Sequence, residues 1–132
     1  VQQQFGARIG APIGERGAAE LAGVDVAHWF ADEGELVDCG VRVLPVRGSK
    51  TPGEVAFVLP AGDTLICGDL VRGQTAGRLN ILPDAKLSDR AAAIESVREM
   101  LSQRPTHVVV GDGWSVFHRG VQALELLLGE LG

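Results

Sequence analysis

Three acidic residues lie beside glycines near the ends of apolar runs, and they are the residues best suited to chemistry. Glu54 ends the segment TPGE, Asp69 lies in the segment GDL, and Asp112 lies in the segment GDG. A sheet can direct side chains from successive loops into one cleft, so we expect these carboxylates to converge. An all-oxygen set suits magnesium, manganese or calcium better than zinc, which favours imidazole and thiolate ligands. Converging carboxylates would otherwise need bound protons or basic neighbours.

Two basic residues lie close in sequence to these acids. Lys50 precedes Glu54, and Arg72 follows Asp69. Either cation could compensate the acidic cluster in place of a metal. A plainer interpretation also stays open: Asp69 and Asp112 would each cap a turn, and Glu54 would be solvated or paired with Lys50.

Trp114 directly follows the GDG segment. An aromatic side chain on a loop beside acidic groups could line a cleft and hold a substrate. The alternative, which we favour, is a core or rim aromatic that packs against Phe117.

Histidine and serine chemistry has little support. His28, His107 and His118 show no HxH spacing, and His107 is expected to be a hydrogen-bonding residue at a strand end, with His118 exposed. Ser49 and Ser115 lack an evident histidine and aspartate arrangement. The glycine-containing loops match neither phosphate-binding pattern, GxxxxGK[ST] or GxGxxG.

Composition indicates an ordinary globular protein. The chain has 132 residues, of which 45% are hydrophobic and 22% charged, with a net charge of −5. This charge implies no general affinity for nucleic acid or anionic membranes. No apolar run is long enough to cross a membrane, and no signal peptide is visible. Cys39 and Cys67 lie in apolar runs without metal-site spacing, so we expect two buried thiols in a cytoplasmic protein.

The elements that must position the acids can be placed from periodicity. The clearest is a hairpin between the apolar runs 55–59 and 64–67. Strands are also expected at 26–30 and 106–110, with two β-like runs in 35–46, and an irregular loop at 73–83. A helix capped by Ser88 is expected to reach Gln103, and a second helix covers 121–131. The chain is thus rich in strands at first and then continues as helix, strand and helix. This order of elements predicts one α+β layered domain over residues 1–132.

The TPGE, GDL and GDG segments resemble loops of the metallo-β-lactamase superfamily, and within it of glyoxalase-II-like hydrolases. The corresponding loops of that family read TPGH, GD and GHG and carry metal ligands. The resemblance is densest from about Trp29 to Phe117. It implies a metallo-β-lactamase-like αββα layered sandwich whose N-terminal portion is missing or truncated, which agrees with a chain that opens on what reads as the end of a helix at Phe5. The family's first ligand cluster, HxHxDH, has no counterpart here.

The resemblance also implies roles. Asp69 matches the family's metal-bridging aspartate, while Glu54 and Asp112 occupy the places of ligand histidines. The expectation is a hydrolase-like protein with a degenerate site, in which Glu54, Asp69 and Asp112 hold a divalent metal (zinc, manganese or magnesium) or none. Asp69 and Asp112 would be catalytic, acting on a small ester, thioester or phosphoester. Lys50, Arg72 and Trp114 would bind the substrate.

Two further expectations follow from the resemblance. The alternative to a hydrolase is a non-catalytic descendant that binds a small molecule or a partner through the same cleft. A half sandwich would expose one apolar sheet face, so we expect a homo-oligomer or association with the missing N-terminal segment.

Overall fold

The computed structural model describes residues 2–31, 34–36 and 39–132. The sequence Asp32-Glu33-Gly34 predicts a turn after the strand expected at 26–30, and the first two of these residues lie outside the described ranges. The helices are α1 (Gln2–Phe5), α2 (Arg16–Leu21), α3 (Arg90–Ser102) and α4 (Gly120–Leu131). The strands are β1 (Gly10–Pro12), β2 (His28–Phe30), β3 (Gly34–Leu36), β4 (Val41–Pro45), β5 (Val55–Val58), β6 (Thr64–Cys67), β7 (Val71–Thr75), β8 (Arg78–Ile81) and β9 (His107–Val110). No helix among the described residues is long and apolar enough to cross a membrane.

A five-stranded sheet organises the chain. Its strand order is β3-β4-β5-β6-β9, antiparallel from β3 to β6, with β9 parallel to β6. The predicted β5–β6 hairpin is confirmed, and Gly62 supplies the positive φ of 74° that its turn requires. Strands β1 and β2 form a separate parallel pair, and β7 and β8 a separate antiparallel pair.

The core lies between one face of this sheet and helices α3 and α4. Alternate residues of β5, β6 and β9 point into it, among them Val58, Leu65 and Val108, and all three are buried. From the helices, Val97 and Leu124 fill the same layer and are fully buried. Non-directional burial of this kind is the main favourable contribution to folding.

The opposite face of the sheet is also apolar. Val43, Phe57, Ile66 and Val109 lie in register across β4, β5, β6 and β9. Val43 is buried and the other three are half-buried. The ring of Phe30 lies edge-on to that of Phe57, with 6.4 Å between centroids. Strand β2 therefore covers part of this face.

Helix α3 begins one residue later than the sequence predicts. Its N-cap is Asp89, whose carboxylate accepts a hydrogen bond from the Ala92 amide at 3.0 Å. Ser88 instead donates its own amide to the Gly48 carbonyl. Gly48 has a φ of 76°, and a Cβ there would lie 2.1 Å from the Asp89 carbonyl oxygen. The helix start is thus packed directly on the loop that leads to Ser49.

Two other expectations are wrong. The segment predicted as an irregular loop at 73–83 contains the end of β7 and all of β8, joined at Gly77, which has a φ of 78°. The exposed side chains of this segment are polar, so its sequence lacks the apolar pattern typical of a strand. The hairpin is defined instead by backbone pairing between β7 and β8 and by the burial of Leu79. Of the two thiols expected to be buried, Cys67 is buried but Cys39 is exposed.

Candidate functional site at the ends of strands β6 and β9

Asp69 and Asp112 lie in the turns that follow the neighbouring strands β6 and β9. Cys67 of β6 pairs with Val110 of β9 in a parallel register, so the turns that follow both strands emerge at one edge. A Cβ on Gly111 would lie 3.8 Å from the Gly68 carbonyl oxygen, which shows that these turns touch. Ligands of open α/β sheets bind at this kind of edge, beyond the carboxyl ends of parallel strands. We call the charged residues gathered here the rim: Lys50, Glu54, Asp69, Arg72 and Asp112.

Glu54 is the inner member of the rim and is built into the backbone. Its Oε1 accepts hydrogen bonds from the amides of Asp69, at 2.8 Å, and Leu70, at 2.7 Å. Its Oε2 accepts a short hydrogen bond from the Ser49 hydroxyl, and Ser49 is only 1% exposed. Glu54 therefore ties the TPGE loop to the GDL turn, and the ion-pair partner of Lys50 is Asp69 rather than Glu54.

Asp69 and Asp112 each form an ion pair at the surface. Lys50 Nζ pairs with Asp69 Oδ2, and Arg72 Nη2 pairs with Asp112 Oδ2. Arg72 is the most enclosed of the four, with 21% of its side chain exposed, whereas the other three are close to half exposed. The two acids predicted to be catalytic thus already have cationic partners from their own chain.

The charges of the rim act on one another. The pKa of Lys50 is raised above its ordinary value, first by the hydrogen bond to Asp69 and then by the charge of that carboxylate. The Glu54 carboxylate raises it further, while the Arg72 guanidinium lowers it. The sequence-predicted residues Lys50, Glu54, Asp69 and Arg72 therefore belong to one electrostatic cluster, which Asp112 joins through Arg72.

A backbone crossing positions the outer pair. The Gly73 amide donates to the Asp112 carbonyl oxygen at 3.0 Å, and the Trp114 amide donates to the Gly73 carbonyl oxygen at 2.6 Å. A Cβ on Gly73 would lie 2.0 Å from the Trp114 carbonyl oxygen, and Gly113 has a φ of 93°. Only residues without side chains fit at this crossing. The crossing places Arg72 of β7 beside Asp112. The sequence alone did not indicate this role of Gly73.

Trp114 is exposed at this crossing, with 64% of its surface accessible. It is not a core residue, and the ring of Phe117 lies against His107 instead, with 5.8 Å between centroids. An indole in this position presents an aromatic face to solvent directly after the GDG segment.

The histidines lie elsewhere. His107 stands at the start of β9, the far end of the strand from Asp112, where its Nδ1 accepts a hydrogen bond from the His118 amide at 3.1 Å. This confirms His107 as a hydrogen-bonding residue at a strand end, and His118 is exposed as expected. His28 lies on β2 and is exposed. The imidazole ligands that zinc prefers are thus not supplied by any of the three.

The donor set described by the structure does not fit a resident zinc ion. Both carboxylate oxygens of Glu54 accept hydrogen bonds, and Asp69 and Asp112 face protein cations. Over residues 2–31, 34–36 and 39–132, no group of three or more His, Cys, Asp or Glu side chains is arranged to hold a metal ion. Metal binding by Glu54, Asp69 and Asp112 therefore stays a prediction.

Cys67 lies directly beneath the rim and is chemically quiet. Burial raises the pKa of its thiol to about 12, and the negative charge of Glu54 adds to that rise. A thiol in this state carries almost no thiolate near neutral pH, so it is a packing residue rather than a nucleophile.

Comparison with known proteins identifies the fold. Residues 1–131 match the model of a family described as the metallo-beta-lactamase superfamily. The chain belongs to the metallo-β-lactamase superfamily. The predicted fold class, an αββα layered sandwich with mixed α and β content, is thereby confirmed. No curated protein matches the chain.

Solved structures agree on the fold at low sequence identity. The metallo-β-lactamase DIM-1 exposed to ceftazidime is 17% identical with a TM-score of 0.72, and the alignment covers 99% of this chain and 60% of that one. A metallo-β-lactamase from Pontibacter korlensis is 19% identical with a TM-score of 0.72, covering 98% and 60%. VMB-1 is 15% identical with a TM-score of 0.72, covering 98% and 58%. The chain therefore spans about three fifths of the length of these structures.

Proposed function

We propose that this chain carries the ligand-binding rim of a hydrolase-like metallo-β-lactamase-fold protein, and that the rim binds a small anionic molecule without a resident metal. The observation that supports this proposal is the state of the three acids. Glu54 accepts hydrogen bonds from two backbone amides and a serine hydroxyl, while Asp69 and Asp112 form ion pairs with Lys50 and Arg72. The protein's own cations supply the positive charge that such a cluster needs.

The chemistry of the exposed groups indicates the class of ligand. Asp69 and Asp112 are close to half exposed, so either can turn to water and leave its cation to an incoming anion. An exposed ion pair is worth little, so the exchange costs least at Lys50–Asp69, the more exposed of the two pairs. A guanidinium binds carboxylate or phosphate in a bidentate way, and the exposed indole of Trp114 can cover an apolar or aromatic part of the same molecule. We therefore expect a carboxylate or phosphate joined to a small apolar group.

Thermal unfolding in the presence of defined anions tests the proposal. Benzoate and phenyl phosphate, each added with a chelator, are expected to raise the melting temperature, and acetate and inorganic phosphate to raise it less. Replacement of Arg72, Lys50 or Trp114 by alanine should reduce the benzoate shift. Arg98→Ala is the matched control, since Arg98 is an exposed cation on α3 whose ion-pair partner is Glu95. A benzoate shift that survives Arg72→Ala and Lys50→Ala would contradict the proposal.

The second candidate is metal-dependent hydrolysis of a small ester, thioester or phosphoester. One observation favours it: the parallel register of β6 and β9 brings Asp69 and Asp112 to the same sheet edge. Metal analysis of the purified protein after incubation with zinc, manganese and magnesium distinguishes the two candidates. One equivalent of metal that is lost in both Asp69→Asn and Asp112→Asn would favour this candidate over the first. A cytoplasmic location remains part of either proposal.

A further inference from the structure

Helix α4 presents an unusual face to solvent. Its inner side is buried through Gly120, Ala123, Leu124 and Leu127. Its outer side carries residues at helical spacings of three and four, which we call the α4 face: Gln122, Glu125, Leu126, Gly129 and Glu130. Leu126, at the centre of this otherwise polar or small surface, is 63% exposed.

A hollow lies next to Leu126. A cavity of about 350 Å³ is lined by Gly77, Arg119, Gln122, Ala123 and Leu126, between the turn of the β7–β8 hairpin and the helix. Gly77 and Ala123 contribute little or no side chain, which is why the space is open. A Cβ on Gly129 would meet nothing within 4 Å, so a second backbone can also approach closely there. The surface therefore holds both a projecting leucine and a recess.

Charges of opposite sign stand at the two ends of this surface. Arg119 is the N-cap residue of α4. Glu130 lies eleven residues later, which is about 16 Å along the helix axis at the α-helical rise. The Arg119 guanidinium makes no ion pair with a carboxylate among the residues that the structure describes. Glu130 uses Oε1 for Arg78, which leaves Oε2 for a second donor.

We propose that the α4 face is an interface between two copies of this chain, with the two α4 helices packed antiparallel. A two-fold interface must be complementary to itself, and a leucine next to a recess on one surface meets that condition. In this arrangement Leu126 of each copy enters the other copy's cavity, and Arg119 of each copy meets Glu130 of the other, twice. The proposal is independent of any ligand at the rim.

Sedimentation velocity over a roughly hundredfold range of protein concentration tests the interface. The unmodified chain is expected to shift from monomer to dimer as concentration rises, and Leu126→Asp to remain a monomer. Glu99→Arg, on the exposed side of α3, is the control and should leave the dimer intact. Circular dichroism shows whether Leu126→Asp is folded.

Charge reversal gives a second test that does not depend on the leucine variant. Arg119→Glu and Glu130→Arg are each expected to weaken self-association by about tenfold or more, because each homodimer then sets like charges together twice. An equimolar mixture of the two variants restores both attractive pairs and should form a one-to-one heterodimer. A monomer at every concentration, a dimer that persists in folded Leu126→Asp, or a mixture that associates no better than its components would overturn the proposal.

Discussion

The inner and outer parts of the rim use the same chemical group in opposite ways. Glu54 is held by two backbone amides and a buried hydroxyl, whereas Asp69 and Asp112 are held by long cationic side chains near the surface. Position in a loop therefore does not decide what a carboxylate does. The role of each carboxylate is decided by the hydrogen-bond donors and cations that the fold places around it, and by the access of these groups to water.

The free-energy cost of ordering the partner groups explains why the Glu54 contact differs from the two ion pairs. Backbone amides in a turn are already ordered, so a carboxylate that accepts from them loses little further entropy and gains charge-assisted hydrogen bonds. Lysine and arginine side chains must be ordered to form a pair, and water competes for both partners. The inner contact is thus structural, while the outer pairs are the part of the rim that can change partners when a ligand arrives.

The largest effect is expected from removal of the inner carboxylate. Glu54→Ala leaves two amides and the hydroxyl of Ser49 without an acceptor and should lower the free energy of unfolding by about 3 kcal/mol. Glu54→Gln keeps the shape and one oxygen and should cost clearly less. Urea denaturation measures both, with Glu95→Ala on α3 as a control for loss of an exposed carboxylate. Equal stability of Glu54→Ala and the control would show that the inner contact is not structural.

The backbone crossing beside the outer pair should be nearly as sensitive. Gly73→Ala places a Cβ 2.0 Å from the Trp114 carbonyl oxygen and should destabilise the protein by about 2 to 3 kcal/mol. Gly129→Ala, where the added methyl group meets open space, should be neutral or stabilising by up to about 1 kcal/mol. Thermal and urea unfolding of the two variants, side by side, check this contrast.

The Arg72–Asp112 pair should show a modest coupling. A double-mutant cycle of Arg72→Ala and Asp112→Ala is expected to give an interaction free energy of about 1 kcal/mol, because Arg72 is mostly enclosed. Urea denaturation of the four proteins gives this value. A coupling as large as the loss in Glu54→Ala would remove the distinction between the inner and outer parts of the rim.

The Lys50–Asp69 pair should couple less strongly than Arg72–Asp112. Both partners are close to half exposed, so solvent screens the pair. The same double-mutant cycle, run at low and high salt, is expected to show a small coupling that salt abolishes. Persistence of the coupling in high salt would mean that Lys50 is more tightly held than its exposure implies.

The thiols should differ in reactivity without affecting stability near neutral pH. A thiol reagent is expected to label exposed Cys39 in the folded protein and Cys67 only after unfolding. Burial raises the folded-state pKa of Cys67 from 9.0 to about 12, so the folded state retains a proton that the unfolded state releases. The associated stability is fully present below pH 9 and is lost as pH rises from there toward 12. Rapid labelling of both thiols at neutral pH would contradict this assignment.

Sequence reasoning identified most of the fold and the members of the rim. The β5–β6 hairpin, β9, and helices α3 and α4 stand close to their predicted places, because each has strong periodicity or turn residues. It failed for β7 and β8, whose polar residues hide a hairpin, and it left open whether Trp114 lies in the core or at the rim, where the structure shows it exposed. Strand β8 pairs with β7 across a short turn, so that failure reflects a weak apolar signal, whereas a long-range backbone contact with Gly73 sets the place of Trp114.

What the amino-acid sequence determined by itself is the membership of this chain in its superfamily and the set of charged residues at its loop ends. Those features are local, since they rest on residue types, spacing and turn chemistry. Only the tertiary structure decided which charge meets which. Lys50 lies close in sequence to Glu54 but forms an ion pair with Asp69, and Arg72 forms an ion pair with Asp112, which is forty residues away in sequence. Strand register and the backbone crossing at Gly73 set those distances, and neither can be read from neighbouring residues along the chain.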